Sequence, residues 1–196
     1  MKKLQTIITL IILLVSIAYC KNRQAEMQED AENLVKLIGT RDMKASLARA
    51  LSLIEKYPDQ TDFYVVTASI YTSMKDDANT VKYYEKALSI DPKSSDVLYQ
   101  AGFYFFSKND CKSSLKYLEQ ASVEKSAYES AKIHAEVLYV LGFCSHAEKN
   151  RQNAEKYFRK FQETVGDYDY NDKSVRNMIN FTAATLKAEY SETPKK

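Results

Sequence analysis

The sequence predicts an all-α solenoid of about four stacked helical hairpins closed by a C-terminal helix, and three observations carry that prediction. A Lys-Tyr pair followed by an aromatic residue or Leu stands at 82–84 and returns at 116–118 and 156–158, after 34 and then 40 residues. Each of these stretches belongs to a window holding two apolar runs at helical spacing, parted by a polar break: MKDDAN, SKNDCK and AEKNRQ. Only four Gly and three Pro punctuate the 196 residues, too few turn residues for a many-stranded sandwich or barrel.

The chain opens on MKKLQTIITLIILLVSIAYC, with Lys2 and Lys3 ahead of an apolar run from Ile7 to Ala18. Those are the charged and apolar regions of an export signal, and residues 1–19 are set aside from the fold on that ground. The run is shorter than the ~20 residues a membrane span needs. Ile17-Ala18-Tyr19-Cys20 resembles a bacterial lipobox and makes Cys20 the expected lipidation site, although Tyr19 stands where that pattern has Gly, Ala or Ser. Two alternatives stay open: cleavage after Ala18 by an ordinary signal peptidase, and an uncleaved anchor. Residues 20–26 are read as a linker.

Windows of 34 residues begin at Thr61 and Ser95, and a third begins at Ala135 after six inserted residues. Position 4 holds Tyr64, Leu98 and Leu138, and position 8 holds Ala68, Gly102 and Gly142. Position 24 holds Tyr84, Leu118 and Phe158. Small residues at position 8 let paired helices approach, and the bulky ones fill the adjoining space. Pro58 and Pro92 are also 34 apart, which places a degenerate first hairpin at 27–60. The expected order is therefore hairpins at 27–60, 61–94, 95–128 and 129–168, a capping helix at 169–190 and a tail at 191–196. In the capping helix Val175, Met178, Phe181, Ala184 and Leu186 recur at intervals that make one apolar face, with Asp172 as its N-cap. Lys82, Lys116 and Lys156 are expected on the solvent side, and Tyr83, Tyr117 and Tyr157 at the edge, rings packed and hydroxyls wet.

This pattern resembles the tetratricopeptide repeat family over roughly 27–168, most fully at 61–94. The resemblance implies a right-handed superhelix and a non-enzymatic scaffold. It also implies that positions 2, 5, 9 and 12 of each first helix line an inner groove. Those are Asp62, Val65, Ser69 and Thr72; then Asp96, Tyr99, Phe103 and Phe106; then Glu136, Tyr139, Phe143 and His146. The Lys, Arg and Asn with which one subgroup grips carboxyl-terminal tails are absent from them. The expected partner site is the aromatic set Tyr99, Phe103, Phe106, Tyr139 and Phe143, suited to a protein or peptide segment. The alternative is that these rings are core, or are covered by the capping helix or the N-terminal segment. With the export signal, the chain resembles tetratricopeptide lipoproteins that assist outer-membrane or pilus assembly. That implies a bacterial envelope protein held to the membrane through Cys20. A soluble secreted or periplasmic adaptor is the alternative.

Chemistry beyond binding has little support. The net charge is +2, which leaves no nucleic-acid footprint. No phosphate loop, nucleophile elbow or His-Glu-x-x-His is present, and no cofactor is called for. His134 and His146 lie about 18 Å apart along a helix, too far to share a ligand. A metal protein or enzyme using Cys144 and His146 is kept as a contrast from another class. Cys111 and Cys144 are expected as two buried free thiols rather than a disulfide, because free Cys is commonly buried and no spacing motif pairs them.

Overall fold

The computed structural model describes the backbone of residues 2–121, 131–165 and 173–190, and the side chains of those residues apart from 2–20, 131 and 132. Gly166, Asp172 and the tail at 191–196 lie outside it, as do the side chains of the export signal and Cys20. The described residues are all helix and short turns. They divide into two compact units, Met1–Ile90 and Asp91–Lys196.

The first unit contains α1 (Lys2–Gly39), α2 (Met43–Lys56), α3 (Thr61–Ser73) and α4 (Asp77–Ile90), each packed on the next. Residues 20–26, expected as a linker, continue α1 without a break. The reason is local: no Gly or Pro occurs before Gly39, and Gln, Ala, Glu and Met are good helix formers. Among the described residues no helix is long and apolar enough to cross a membrane.

The second unit contains α5 (Ser95–Ser107), α6 (Cys111–Ala121), α7 (Ala131–Ala147), α8 (Arg151–Val165) and α9 (Lys173–Glu189). They pack in sequence, and α5 also touches α7. Four of the inserted residues, 131–134, wind an extra turn onto α7, which has 17 residues against 13 in α5.

The turn inside each hairpin is the same device four times. Arg41, Lys75, Asn109 and Lys149 adopt positive φ of 59–64°, ending one helix in the left-handed conformation. The next residue caps the following helix. Asp42, Asp76, Asp110 and Asn150 each accept a hydrogen bond from the backbone N–H three residues on, at 3.0–3.2 Å. Side-chain bonds from Asn79 and Ser113, joined by these backbone bonds, hold the carboxyls of Asp76 and Asp110 below their ordinary range.

The second helices bury one recurring face. Thr80, Tyr83, Tyr84 and Ala87 on α4 correspond to Ser114, Tyr117, Leu118 and Ala121 on α6, and to Ala154, Tyr157, Phe158 and Phe161 on α8. Lys82, Lys116 and Lys156 are exposed. Tyr83, Tyr117 and Tyr157 are only 8%, 6% and 9% exposed, so their rings are packed as expected. Tyr83 stacks on Tyr71 at 5.4 Å, and Tyr117 lies parallel to Phe105 at 5.4 Å. The Tyr157 hydroxyl is pushed up chiefly by burial and further by its hydrogen bond to Glu119.

The degenerate first hairpin is complementary in a different way. Leu34 stands at position 8 and Ala50 at position 24, both fully buried in one cluster. The large and small partners are thus exchanged relative to Gly102 with Leu118 and Gly142 with Phe158. Positions 4 and 23 hold Asp30 and Arg49 where the second hairpin has the Tyr64–Tyr83 ring pair. Asp30 accepts from Arg49 Nη2 at 2.5 Å, Lys56 Nζ at 2.7 Å and the Tyr57 hydroxyl at 3.0 Å. Lys56 also donates to Glu26 at 2.7 Å.

The Lys56 hydrogen bond holds the Asp30 carboxyl below its ordinary 3.8, against the opposing effect of burial. A carboxylate depressed on folding contributes stability that is full above its unfolded value. That contribution is lost as pH falls through the lower folded value. Asp30→Asn is therefore expected to lower stability by about 1–3 kcal/mol at neutral pH. As pH falls through that lowered folded value the variant and the parent should converge, which thermal melts across the acid range would check. Equal melting temperatures at pH 7 would show that the network contributes nothing.

Gly102 faces Leu118 of α6, and Gly142 faces Phe158 of α8, with no room between them for a further carbon. A methyl on Gly102 would strike Leu118 Cγ and come within 2.5 Å of its Cδ2. On Gly142 it would strike Phe158 Cδ1 and come within 2.6 Å of Cε1.

The capping helix α9 is rotated from its expected face. Thr182, Thr185, Leu186 and Tyr190 are buried, Val175, Met178 and Phe181 are half-buried, and Ala184 is exposed. Leu186 and Tyr190 close over Ala154 and Phe158. The stripe through 182, 185 and 186 is therefore the most buried face of α9, with Val175, Met178 and Phe181 at its edge.

Candidate interaction surface

Helical spacing brings Tyr99, Phe103 and Phe106 onto one side of α5, and Tyr139 and Phe143 onto one side of α7. Packing of α5 on α7 then joins all five expected residues into one seam. Tyr99 and Phe103 lie 4.6 Å apart, Phe103 meets Phe106 edge-on at 6.4 Å, and Phe106 meets Phe143 edge-on at 5.6 Å. Phe143 reaches Tyr139 at 6.2 Å. Every ring is half-buried: the inner sides rest on the core of the second unit and the outer sides face water. The seam is thus neither interior nor a freely projecting patch.

One flank is covered. Phe181 of α9 packs at 5.5 Å on Phe143 and 6.0 Å on Tyr139, and it also reaches the core ring of Phe158 at 6.1 Å. Covering by the capping helix therefore holds for the α7 side of the seam. Phe181 was expected in the apolar face of α9, but its part in this seam follows from the rotation of that helix.

Electrostatics enter at the Tyr99 end. The Tyr99 hydroxyl donates to Glu136 Oε2 at 3.4 Å. Burial first, then the carboxylates of Glu136 and Asp96, push this hydroxyl up to about 12. Asp96 also accepts from Gln100 Nε2 at 3.1 Å. At the other end of α7, His146 Nδ1 and the Tyr190 hydroxyl are 3.1 Å apart, and Glu189 lies 3.6 Å from the same nitrogen.

The corresponding positions of α3 are less apolar. Asp62 and Ser69 are exposed, Thr72 is half-buried and Val65 is buried. Ser69 and Thr72 donate their hydroxyls back to the carbonyls of Val65 and Ala68. The aromatic surface is therefore a property of the second unit.

Cys111 and Cys144 are joined as a disulfide with Cα atoms 4.9 Å apart, which corrects the expectation of free thiols. Cys111 opens α6 and Cys144 lies in the last turn of α7, so packing of α6 on α7 makes the pairing. The only trace in the sequence is their separation of 33, one short of the repeat period. The bond consumes the thiolate that ligation or nucleophilic chemistry at Cys144 would need. Among the described residues no three His, Cys, Asp or Glu are placed to hold a metal ion.

Residues 61–94 match the tetratricopeptide repeat family. No curated protein matches the sequence. Among solved structures the chain is similar to the PilF protein of Pseudomonas aeruginosa, with TM-score 0.64 and 18% identity over 82% of this chain and 71% of that one. It is similar to the MamA protein with TM-score 0.59 and 14% identity, covering 86% of this chain and 98% of that one. The third is YrrB, described as a tetratricopeptide protein with an unusual peptide-binding site. Its TM-score is 0.56 and its identity 17%, over 80% of this chain and 84% of that one. At these identities the likeness establishes the fold.

Proposed function

Since the chain has a tetratricopeptide-type fold with one full repeat at 61–94, we propose that it is a non-enzymatic scaffold that docks a protein or peptide segment. The observation that carries this reading is the half-exposed aromatic seam across α5 and α7, since contiguous exposed apolar surface marks interaction sites. The peptide-binding site of YrrB gives the same fold a precedent for that use.

The scaffold is exported and held to a bacterial envelope membrane through lipid on Cys20, with the repeats facing the periplasm or the exterior. The basic and apolar leader and the sequence up to Cys20 support this. The disulfide supports export in either form of the reading, since such bonds persist in oxidising compartments. Metabolic labelling with a palmitate analogue separates the anchored protein from a soluble secreted adaptor. Label that survives Cys20→Ser would remove the anchor from the proposal.

Docking is tested with a photoreactive side chain at 103 and, as the control, at exposed Lys116 on α6. Discrete adducts are expected from 103 and not from 116. Phe103→Ala is expected to weaken capture about tenfold or more while shifting the melting temperature by only a few degrees. A large loss of stability with capture unchanged would assign Phe103 to the core and end the docking reading.

A further inference from the structure

We propose that the segment docking on the seam carries a lysine or arginine beside its apolar residues, and that this cation seats at the Tyr99 end between Asp96 and Glu136. The inference rests on the docking function above and adds the chemistry of its ligand.

Three observations carry it. The eight inner positions of α5 and α7 include two carboxylates and no Lys or Arg, in a chain with 28 basic and 26 acidic residues. The aromatic surface is thus acidic at one end against the charge of the whole chain. Asp96 lies in the first turn of α5, where the positive end of the helix accounts for an acid. Glu136 does not share that explanation, because α7 begins at Ala131 and the dipole acts within the first turn. Instead Glu136 accepts from the Tyr99 hydroxyl, and Asp96 stands three residues before Tyr99 on the same side of α5.

The second unit also places cations against tyrosine rings that are nearly buried. Tyr104, Tyr117 and Tyr157 each carry a lysine over the ring: Lys108 at 5.5 Å, Lys116 at 5.1 Å and Lys156 at 5.3 Å. Among the described residues no Lys or Arg lies over Tyr99 or Tyr139. A ring face edged by carboxylates and lacking a cation of its own is where an incoming Lys or Arg gains both ring attraction and charge pairing. From there the apolar residues of the segment continue along Phe103, Phe106 and Phe143, whose rings span one to two helical turns.

The test uses the full chain and an array of 12-residue peptides with two apolar anchors four residues apart, flanked by Lys, Gln or Glu. Lys-flanked peptides are expected to bind about tenfold more tightly than their Gln counterparts at low salt. The advantage should shrink as salt rises. In Asp96→Asn/Glu136→Gln the Lys-to-Gln ratio should fall to within about twofold, with circular dichroism melts confirming an intact fold. Equal binding of Lys and Gln peptides, or preference for Glu, overturns the cation assignment and leaves the docking surface standing. Retention of no peptide with any flank overturns both. If Phe103→Ala abolishes self-association in sedimentation while peptide binding is unchanged, the occupant is a second copy and the proposal fails.

Discussion

Cys111→Ser/Cys144→Ser is expected to lose about 3–4 kcal/mol of stability, the value that loop-closure entropy assigns to a bridge across 33 residues. The bond links the start of α6 to the last turn of α7, so it joins one hairpin to the next. Within a stack, that junction otherwise depends on side-chain packing alone. Cys144 and Leu118 belong to one buried cluster, and the half-buried Phe106 and Phe143 pack against it. Loss of the bridge should therefore loosen the aromatic seam as well as lower the melting temperature. Denaturant melts of the oxidised protein, the reduced protein and the double variant provide the measurement. The reduced protein and the double variant should agree with each other and fall well below the oxidised one. Three coincident curves would mean that the bridge does not form in solution.

Gly142→Leu is expected to cost about 1–3 kcal/mol or more, because the first added carbon already meets the Phe158 ring. That ring is fully buried beneath Leu186 and Tyr190 of the capping helix and has little room to yield. The first hairpin supplies its own control. There a Leu at position 8 is accommodated by Ala50 at position 24. Gly142→Leu/Phe158→Ala should thus recover part of what Gly142→Leu loses, giving a favourable coupling energy in a double-mutant cycle of about 1 kcal/mol or more. Strict additivity of the two changes would show that the two positions do not share one packing space.

The repeat was legible because one period governs several kinds of residue at once. Apolar positions, polar breaks and the small residues at 68, 102 and 142 keep one register within each 34-residue window, the six inserted residues shifting the third window as a whole. The aromatic set was legible for the same reason, since helical spacing alone places Tyr99 with Phe103 and Tyr139 with Phe143. The first hairpin was nearly hidden. Its contacts are complementary, but an ion pair stands where the second hairpin has two rings, and a large residue stands where the others have a small one. Pattern reading looks for repeated residue types, whereas packing requires only that partners fit each other. The carboxylate at Glu136 was in view as an inner position, yet its bond to Tyr99 depends on how α5 lies against α7.

The sequence by itself determined that the chain is helical, where its hairpins turn and which side chains recur on each face, because those follow from local periodicity and capping chemistry. Tertiary structure alone decided that Cys111 meets Cys144, that Asp30 holds Arg49, and that α9 turns Phe181 onto the aromatic seam. Each of these contacts joins residues on different helices. Their distance is set by how the helices stack, which no short window of sequence records.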